Sequence, residues 1–195
     1  MSDAAEPIRL SYDRGTVLVA GGPPGFDLLD LPGVLFDPRT STYRAQGRHY
    51  RGVVEHLVRN KIAYEDTARG WENKPTGWQL APGRDPFPHQ SESVAAWWKA
   101  GGRGVVVLPT GTGKTFVALL SIQKAGRPAL VVTPTIDLMN QWYAEMKDRF
   151  GIEVGLVGGG YYEFKPLTVT TYDSAAIHAE RWGNQYGLIV FDEAH

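Results

Sequence analysis

Hydrophobic positions along this chain follow two different periods. Ile8, Leu10 and Tyr12 alternate with polar residues, the pattern of a half-buried strand. Asp13-Arg14-Gly15 predicts a turn, and Thr16 to Ala20 the returning strand. Gly21 to Gly25, G-G-P-P-G, reads as a loop. Val34 to Phe36 and Thr42 to Arg44 flank Asp37-Pro38-Arg39-Thr40 and predict a second hairpin. From Gly47 the period turns helical: Tyr50, Val53, Val54, Leu57 and Val58 share a face, while Arg48, Arg51, Glu55 and Arg59 lie elsewhere on the wheel. Residues 1–66 are therefore expected to form a small α+β domain.

The period lapses over 67–86, where Pro75, Gly77, Pro82, Gly83 and Pro86 predict a linker. Trp71 and Trp78 imply that it is docked. From residue 87 to 195 strands and helices are expected to alternate. Phe87-Pro88-His89-Gln90 leads a helix through Val94, Trp97 and Trp98. A buried strand is expected at Val105 to Leu108 and a helix at Phe116 to Lys124. Further strands are predicted at Ala129–Val132, Val154–Val157, Leu167–Thr171 and Gly187–Phe191. A helix carrying Leu138, Gln141, Trp142 and Met146 falls among them. That alternation implies an α/β domain with a parallel, doubly wound sheet, binding ligands at the carboxyl ends of its strands.

Composition adds limits. The chain has 195 residues, 43% of them hydrophobic, so it can bury a core, and its net charge of −1 announces no nucleic-acid partner. Cysteine is absent, which excludes disulfides and thiolate metal sites and fits a reducing compartment. The first residues, M-S-D-A-A-E-P, lack the apolar core of a signal peptide, and no apolar run approaches a membrane span, so the expected location is cytoplasmic. Charge is uneven, however. From Arg39 to Lys61 six basic residues face one acid, Glu55, with Tyr43, His49, Tyr50 and His56 interleaved. Basic residues give phosphate affinity and aromatics can stack on bases, so Arg39, Tyr43, Arg44, Arg48 and Arg51 are candidate DNA contacts. The alternative is a solvated helix face with Tyr43 and Tyr50 in the core.

The candidate chemistry sits in V-V-V-L-P-T-G-T-G-K-T, residues 105–115. A glycine-rich turn between a strand and a helix N-terminus cradles phosphate with backbone N–H groups and the helix dipole. Pro109, Thr110, Gly111, Thr112 and Gly113 would form that loop. Lys114 would reach the outer phosphates of ATP, and the Thr115 hydroxyl would ligate Mg²⁺. The strict pattern wants glycine at 108, where this chain has Leu108. Gln90 could bond the adenine edge bidentately; otherwise it is a helix-cap residue. The last predicted strand delivers Asp192-Glu193-Ala194-His195. An acid at the end of an apolar strand calls for a cation. Asp192 would hold Mg²⁺ and Glu193 would polarise the attacking water, giving Lys114, Asp192 and Glu193 as the catalytic set.

In their order these stretches resemble the XPB-type DNA helicases of superfamily 2, in their prokaryotic or archaeal form. Gln90, L-P-T-G-T-G-K-T, T-P-T-I-D-L-M-N-Q-W, T-V-T-T-Y-D-S-A and D-E-A-H look like that group's successive helicase motifs. Y-D-R-G-T-V-L-V, L-P-G-V-L-F-D-P-R-T-S-T-Y-R-A and H-Y-R look like its damage-recognition-like domain. The resemblance implies a first RecA-like ATP-binding domain over 87–195. It implies DNA-backbone contacts from Thr133, Pro134 and Thr135 and from Thr170, Thr171 and Tyr172. It further implies ATP-dependent unwinding, roles in DNA repair or promoter opening, and a nuclease partner. Ala194 departs from the valine of many members. The stop at His195, directly after a strand, is expected of an N-terminal fragment lacking the second RecA-like domain and its arginine fingers. Two other readings are a translocase subunit of a restriction system, against which the N-terminal module argues, and a truncated, non-catalytic DNA- or nucleotide-binding protein.

Overall fold

In the computed structural model, residues 6–72, 74–83 and 85–194 are described, so His195 of the last motif lies outside them. The chain divides into two units that are not consecutive in sequence. One holds Met1–Glu72 with Ile177–Gln185, the other Asn73–Ala176 with Tyr186–His195.

In the first unit, Ile8–Asp13 (β1) and Thr16–Gly21 (β2) pair antiparallel from Ile8↔Gly21 to Asp13↔Thr16. Arg14 and Gly15 both take positive φ, at 42° and 81°. Positive φ at both central residues is the hairpin turn that matches strand twist. Val34–Asp37 (β3) and Thr42–Gln46 (β4) form the second hairpin, and Tyr50–Arg59 (α1) follows. A short strand that the periodicity does not predict, Tyr64–Asp66 (β5), lies parallel to β1. The sheet order is β3-β4-β2-β1-β5. Ile8, Leu10, Val17, Val19, Val34 and Ala45 face Val53 and Leu57 of α1 across a buried core. Tyr50 donates to Asp66 Oδ2 at 2.5 Å and Arg69 Nε lies 3.2 Å from the same oxygen, so the helix and the end of β5 share one carboxylate. At the helix end of this unit, the Tyr12 hydroxyl donates to the carbonyl of Ala179 at 3.0 Å.

The second unit contains Pro88–Lys99 (α2), Lys114–Ala125 (α3), Ala129–Thr133 (β6) and Ile136–Phe150 (α4). Gly155–Gly158 (β7), Tyr161–Glu163 (β8), Leu167–Thr171 (β9), Tyr172–Trp182 (α5) and Leu188–Phe191 (β10) complete it, α5 running on into the other unit. The sheet order is β10-β6-β9-β7-β8. Its first four strands are parallel, as the alternation requires, and β8 turns back antiparallel on β7. Every residue of β6 and β9 is buried, which accounts for their unbroken apolar and threonine composition. Leu119, Ile122, Val131, Met139, Trp142, Met146 and Val169 form the core. Trp78 and Leu80 pack against that core, and the Leu80 N–H donates to Gln123 Oε1 at 2.8 Å.

One predicted element does not form. Val105 to Leu108 carries no strand; Val105 and Val107 are 81% and 85% exposed. A strand exists only with a ladder partner. Among the described residues β10 pairs with β6 on one side, and no strand pairs with Val105 to Leu108. An apolar run without a partner strand has nothing to bury against, whatever its composition.

Candidate functional site

Gly111 and Gly113 both lie at positive φ, 80° and 81°, where a side chain would be strained. Gly113 is the residue that α3 starts from, so the first N–H groups of that helix open directly behind the loop. The loop is braced from within: the Thr112 hydroxyl donates to the carbonyl of Pro109 at 2.6 Å. It is also braced from α2. The Gln90 side-chain N–H donates to the carbonyl of Thr112 at 2.9 Å, and the His89 ring nitrogen lies 3.1 Å from the same oxygen. Gln90 Oε1 accepts from the Phe87 N–H at 3.0 Å, and the residue is fully buried. Gln90, expected either to bond the adenine edge or to cap a helix, here spends its amide on the Phe87 N–H and the Thr112 carbonyl. Its oxygen caps the start of α2 by accepting from the Phe87 N–H, and its nitrogen serves the phosphate loop.

Two stretches far apart in sequence converge here. Lys114 Nζ lies 3.8 Å from Glu193 Oε1, both side chains about two-fifths exposed. Glu193 holds a left-handed φ of 52°, a conformation costing a non-glycine residue about 1–3 kcal/mol that tends to persist at functional sites. Asp192 stands beside it at the end of β10. Its Oδ1 accepts from the Glu193 N–H at 3.1 Å, and its Oδ2 from the indole N–H of Trp142 at 2.7 Å. Each carboxylate oxygen has a second lone pair for a cation. Thr115 is exposed in the first turn of α3. A hydroxyl and a carboxylate are the hard oxygen donors that suit Mg²⁺. The donor set therefore fits Mg²⁺–ATP.

The carboxyl ends of β6 and β9, with the residues that lead into the next helices, carry the expected DNA-contacting residues. Thr133 and Thr170 are fully buried, and their hydroxyls are committed inside the sheet, Thr133 to the Thr170 carbonyl at 3.3 Å and Thr170 to the Val157 carbonyl at 2.8 Å. Pro134 and Thr135 are exposed, and the Thr135 hydroxyl caps α4 by accepting from the Leu138 N–H at 3.2 Å. Thr171 does the same for α5 through the Ser174 N–H at 3.3 Å. Tyr172 is half-buried and donates to the carbonyl of Asp192 at 3.0 Å. Burial, and then the Asp192 carboxylate, hold its hydroxyl above the ordinary value, so it stays a protonated donor.

Three of the six basic residues of the stretch, Arg39, Arg44 and Arg51, pair with acids of the first unit. Arg44 reaches Asp13 Oδ2 at 3.5 Å and Asp37 Oδ2 at 3.6 Å; Arg39 pairs with Asp37 at 3.1 Å and Arg51 with Glu55 at 2.6 Å. Arg48 is exposed, with its Nε 3.4 Å from His49 Nε2. Tyr43 lies against Phe36, ring centroids 5.2 Å apart, and packs on the core. The signal missed in the sequence was the pairing of Asp13 and Asp37 with Arg44, which the two hairpins bring together.

Comparison with known proteins fits this geometry. Residues 10–68 match the xeroderma pigmentosum group B helicase damage recognition domain, and residues 84–195 match the type III restriction enzyme, res subunit, family. The chain is 37% identical over 164 residues to the DNA 3'-5' translocase XPB2 of Sulfurisphaera tokodaii, covering 84% of this chain and 36% of that protein. It is 36% identical over 130 residues to the DNA 3'-5' helicase XPB of Mycobacterium tuberculosis, covering 61% of this chain and 22% of that protein. The chain thus spans about a third or less of the length of these curated relatives. In fold it is similar to the UvsW helicase from bacteriophage T4, with a TM-score of 0.52, 16% identity, and coverage of 97% of this chain and 83% of that one.

Proposed function

This chain belongs to the type III restriction enzyme res-subunit family and, with a damage-recognition domain ahead of that part, to its XPB-type helicase branch; on that premise we propose that it is the nucleotide-binding half of an ATP-driven DNA motor. The observation that carries the reading is the approach of Lys114 to Glu193, with Asp192 alongside. The loop of Gly111 and Gly113 and the start of α3 receive the phosphates. Lys114 neutralises the outer ones, and Thr115 and Asp192 hold Mg²⁺. Glu193 orients and polarises the attacking water. When bound, Mg²⁺–ATP supplies the transferable phosphoryl group and its charge compensation.

Thr135, Pro134 and Tyr172 contact the DNA backbone at the carboxyl ends of the strands, while buried Thr133 and Thr170 shape those loops. The first unit adds DNA contacts through the exposed Arg48 and neighbouring bases. The same reading includes a cytoplasmic location, a role in DNA repair, a second motor domain and a nuclease partner. Its test is fluorescent-nucleotide titration in Mg²⁺: the chain binds, and Lys114→Ala does not. Equal binding by both versions would refute the nucleotide site.

A restriction-type translocase is the second reading, favoured by the match of residues 84–195 alone. The match of residues 10–68 to a damage recognition domain weighs against it.

A further inference from the structure

Asp192 is held from two directions by side chains outside the nucleotide-binding motifs. Trp142, on α4, is 4% exposed, and its indole N–H donates to Asp192 Oδ2 at 2.7 Å. Tyr172, the first residue of α5, donates its hydroxyl to the Asp192 carbonyl at 3.0 Å, and its ring stacks on Phe191 with centroids 6.0 Å apart. Both residues belong to helices that follow the carboxyl ends of β6 and β9. α4 begins after Thr135, which caps it. α5 begins immediately after Thr171. A displacement of either helix start therefore acts on the same carboxylate-bearing residue, through one side-chain bond and one main-chain bond.

The geometry of an indole donor is restrictive. It has one N–H in the ring plane and no acceptor, so it fixes the direction of the oxygen it meets. Because Trp142 is packed into the core, it cannot follow Asp192 if that side chain turns. Its bond to Oδ2, with the Glu193 N–H on Oδ1, leaves the carboxylate one orientation and its remaining lone pairs for an incoming ion. The Tyr172 hydroxyl fixes the main chain one bond further back. We propose that Trp142 and Tyr172 are positioning residues for Asp192: Trp142 aims its carboxylate at the nucleotide's Mg²⁺, and Tyr172 links that aim to nucleic acid held at the start of α5. This rests on the nucleotide and DNA roles given in the preceding section.

The test uses this chain, a fluorescent ATP analogue, Mg²⁺ titration and a single-stranded oligonucleotide. Wild-type chain that binds no nucleotide would remove the underlying reading, and that is seen before any variant is made. With binding established, Trp142→Phe, which keeps an aromatic ring and loses the N–H, raises the Mg²⁺ concentration for half-maximal nucleotide binding about tenfold, as loss of an outer-shell partner does. Binding measured without metal stays unchanged. Met146→Leu, a buried change on the same helix, leaves the Mg²⁺ requirement at the wild-type value. Tyr172→Phe removes one hydroxyl; at saturating oligonucleotide it lowers the factor by which oligonucleotide strengthens nucleotide binding, a factor that is about 5–150 in coupled systems. An unchanged Mg²⁺ requirement in folded Trp142→Phe, or an equal rise in Met146→Leu, would overturn the role of Trp142. An unchanged coupling factor in Tyr172→Phe would overturn that of Tyr172.

Discussion

The side-chain amide of Gln90 holds the carbonyl of Thr112 at 2.9 Å, so the helix that precedes the phosphate loop is bonded to the loop's own backbone. Removing that amide leaves the Thr112 carbonyl with the His89 ring alone. Gln90→Ala is expected to destabilise the second unit by about 1–3 kcal/mol, since two hydrogen bonds of about 0.5–1.5 kcal/mol each are lost. It is also expected to weaken ATP and GTP by the same factor. A base-reading glutamine would instead lose the preference for ATP. Parallel titration of the two nucleotides against wild type and variant decides between them.

On the proposed reading, Lys114 and Glu193 are expected to separate binding from turnover. Glu193→Gln keeps the size and loses the charge, so nucleotide binding persists while hydrolysis by the intact motor falls at least about 100-fold, the scale of a lost general base. Lys114→Ala loses both. Binding isotherms and phosphate release, measured on the same preparations, check the split. Turnover near the wild-type rate in Glu193→Gln would remove that residue from the chemistry.

The first unit separates its arginines in the same way. Arg44 is shared between Asp13 and Asp37, so Arg44→Glu places three carboxylates together and is expected to lower the melting temperature of that unit. Arg48→Glu with Arg51→Glu is expected to leave it folded. If both arginines touch phosphates, the slope of log affinity against log salt flattens by about 1.8 on duplex DNA, at about 0.9 per contact. A double variant that melts like wild type and keeps the wild-type slope would exclude DNA binding by this helix start.

Asp37 sets an acid limit on the same hairpin. Its side-chain bond to Arg39 holds the carboxyl below its ordinary value of 3.8. A depressed folded-state value means that the contribution is complete above the unfolded value and is lost as pH falls through the folded one. The first unit should therefore melt at a constant temperature from neutrality down to about pH 5 and lose stability below about pH 4. Asp37→Asn should start lower at pH 7 and decline less on acidification. Melting curves from pH 2.5 to 7 supply the comparison; parallel curves for variant and wild type would show that another carboxylate sets the limit.

Periodicity was enough to find β1 to β4, α1 and the parallel strands β6, β7, β9 and β10, because each carries its burial pattern in its own residues. It failed for Tyr161–Glu163, three exposed residues whose only reason to be a strand is their ladder to β7. It failed in the other direction at Val105–Leu108, where composition suits a strand and the neighbour that would make it one is not paired there. Within the candidate site, residue types alone proposed Lys114, Asp192 and Glu193, and the structure brings Lys114 to 3.8 Å from Glu193 with Asp192 beside it. The bonds of Gln90 to Thr112 and Trp142 to Asp192 were not legible, because nothing in a glutamine or a tryptophan says which distant oxygen it will meet.

Among the described residues the valine run and the outer flank of β10 have no strand partner, which bears on how this chain behaves in a concentrated solution. Ile189 and Phe191 on β10 are 43% and 55% exposed, and Val105 to Val107 offer three successive β-branched residues with no charge among them. Strand edges of this kind recruit other strand edges, and short uncharged β-prone runs stack into cross-β assemblies. Purified alone, the chain is expected to self-associate as its concentration rises, with light scattering and thioflavin fluorescence increasing together. Val106→Lys, a gatekeeper charge in the run, should delay both.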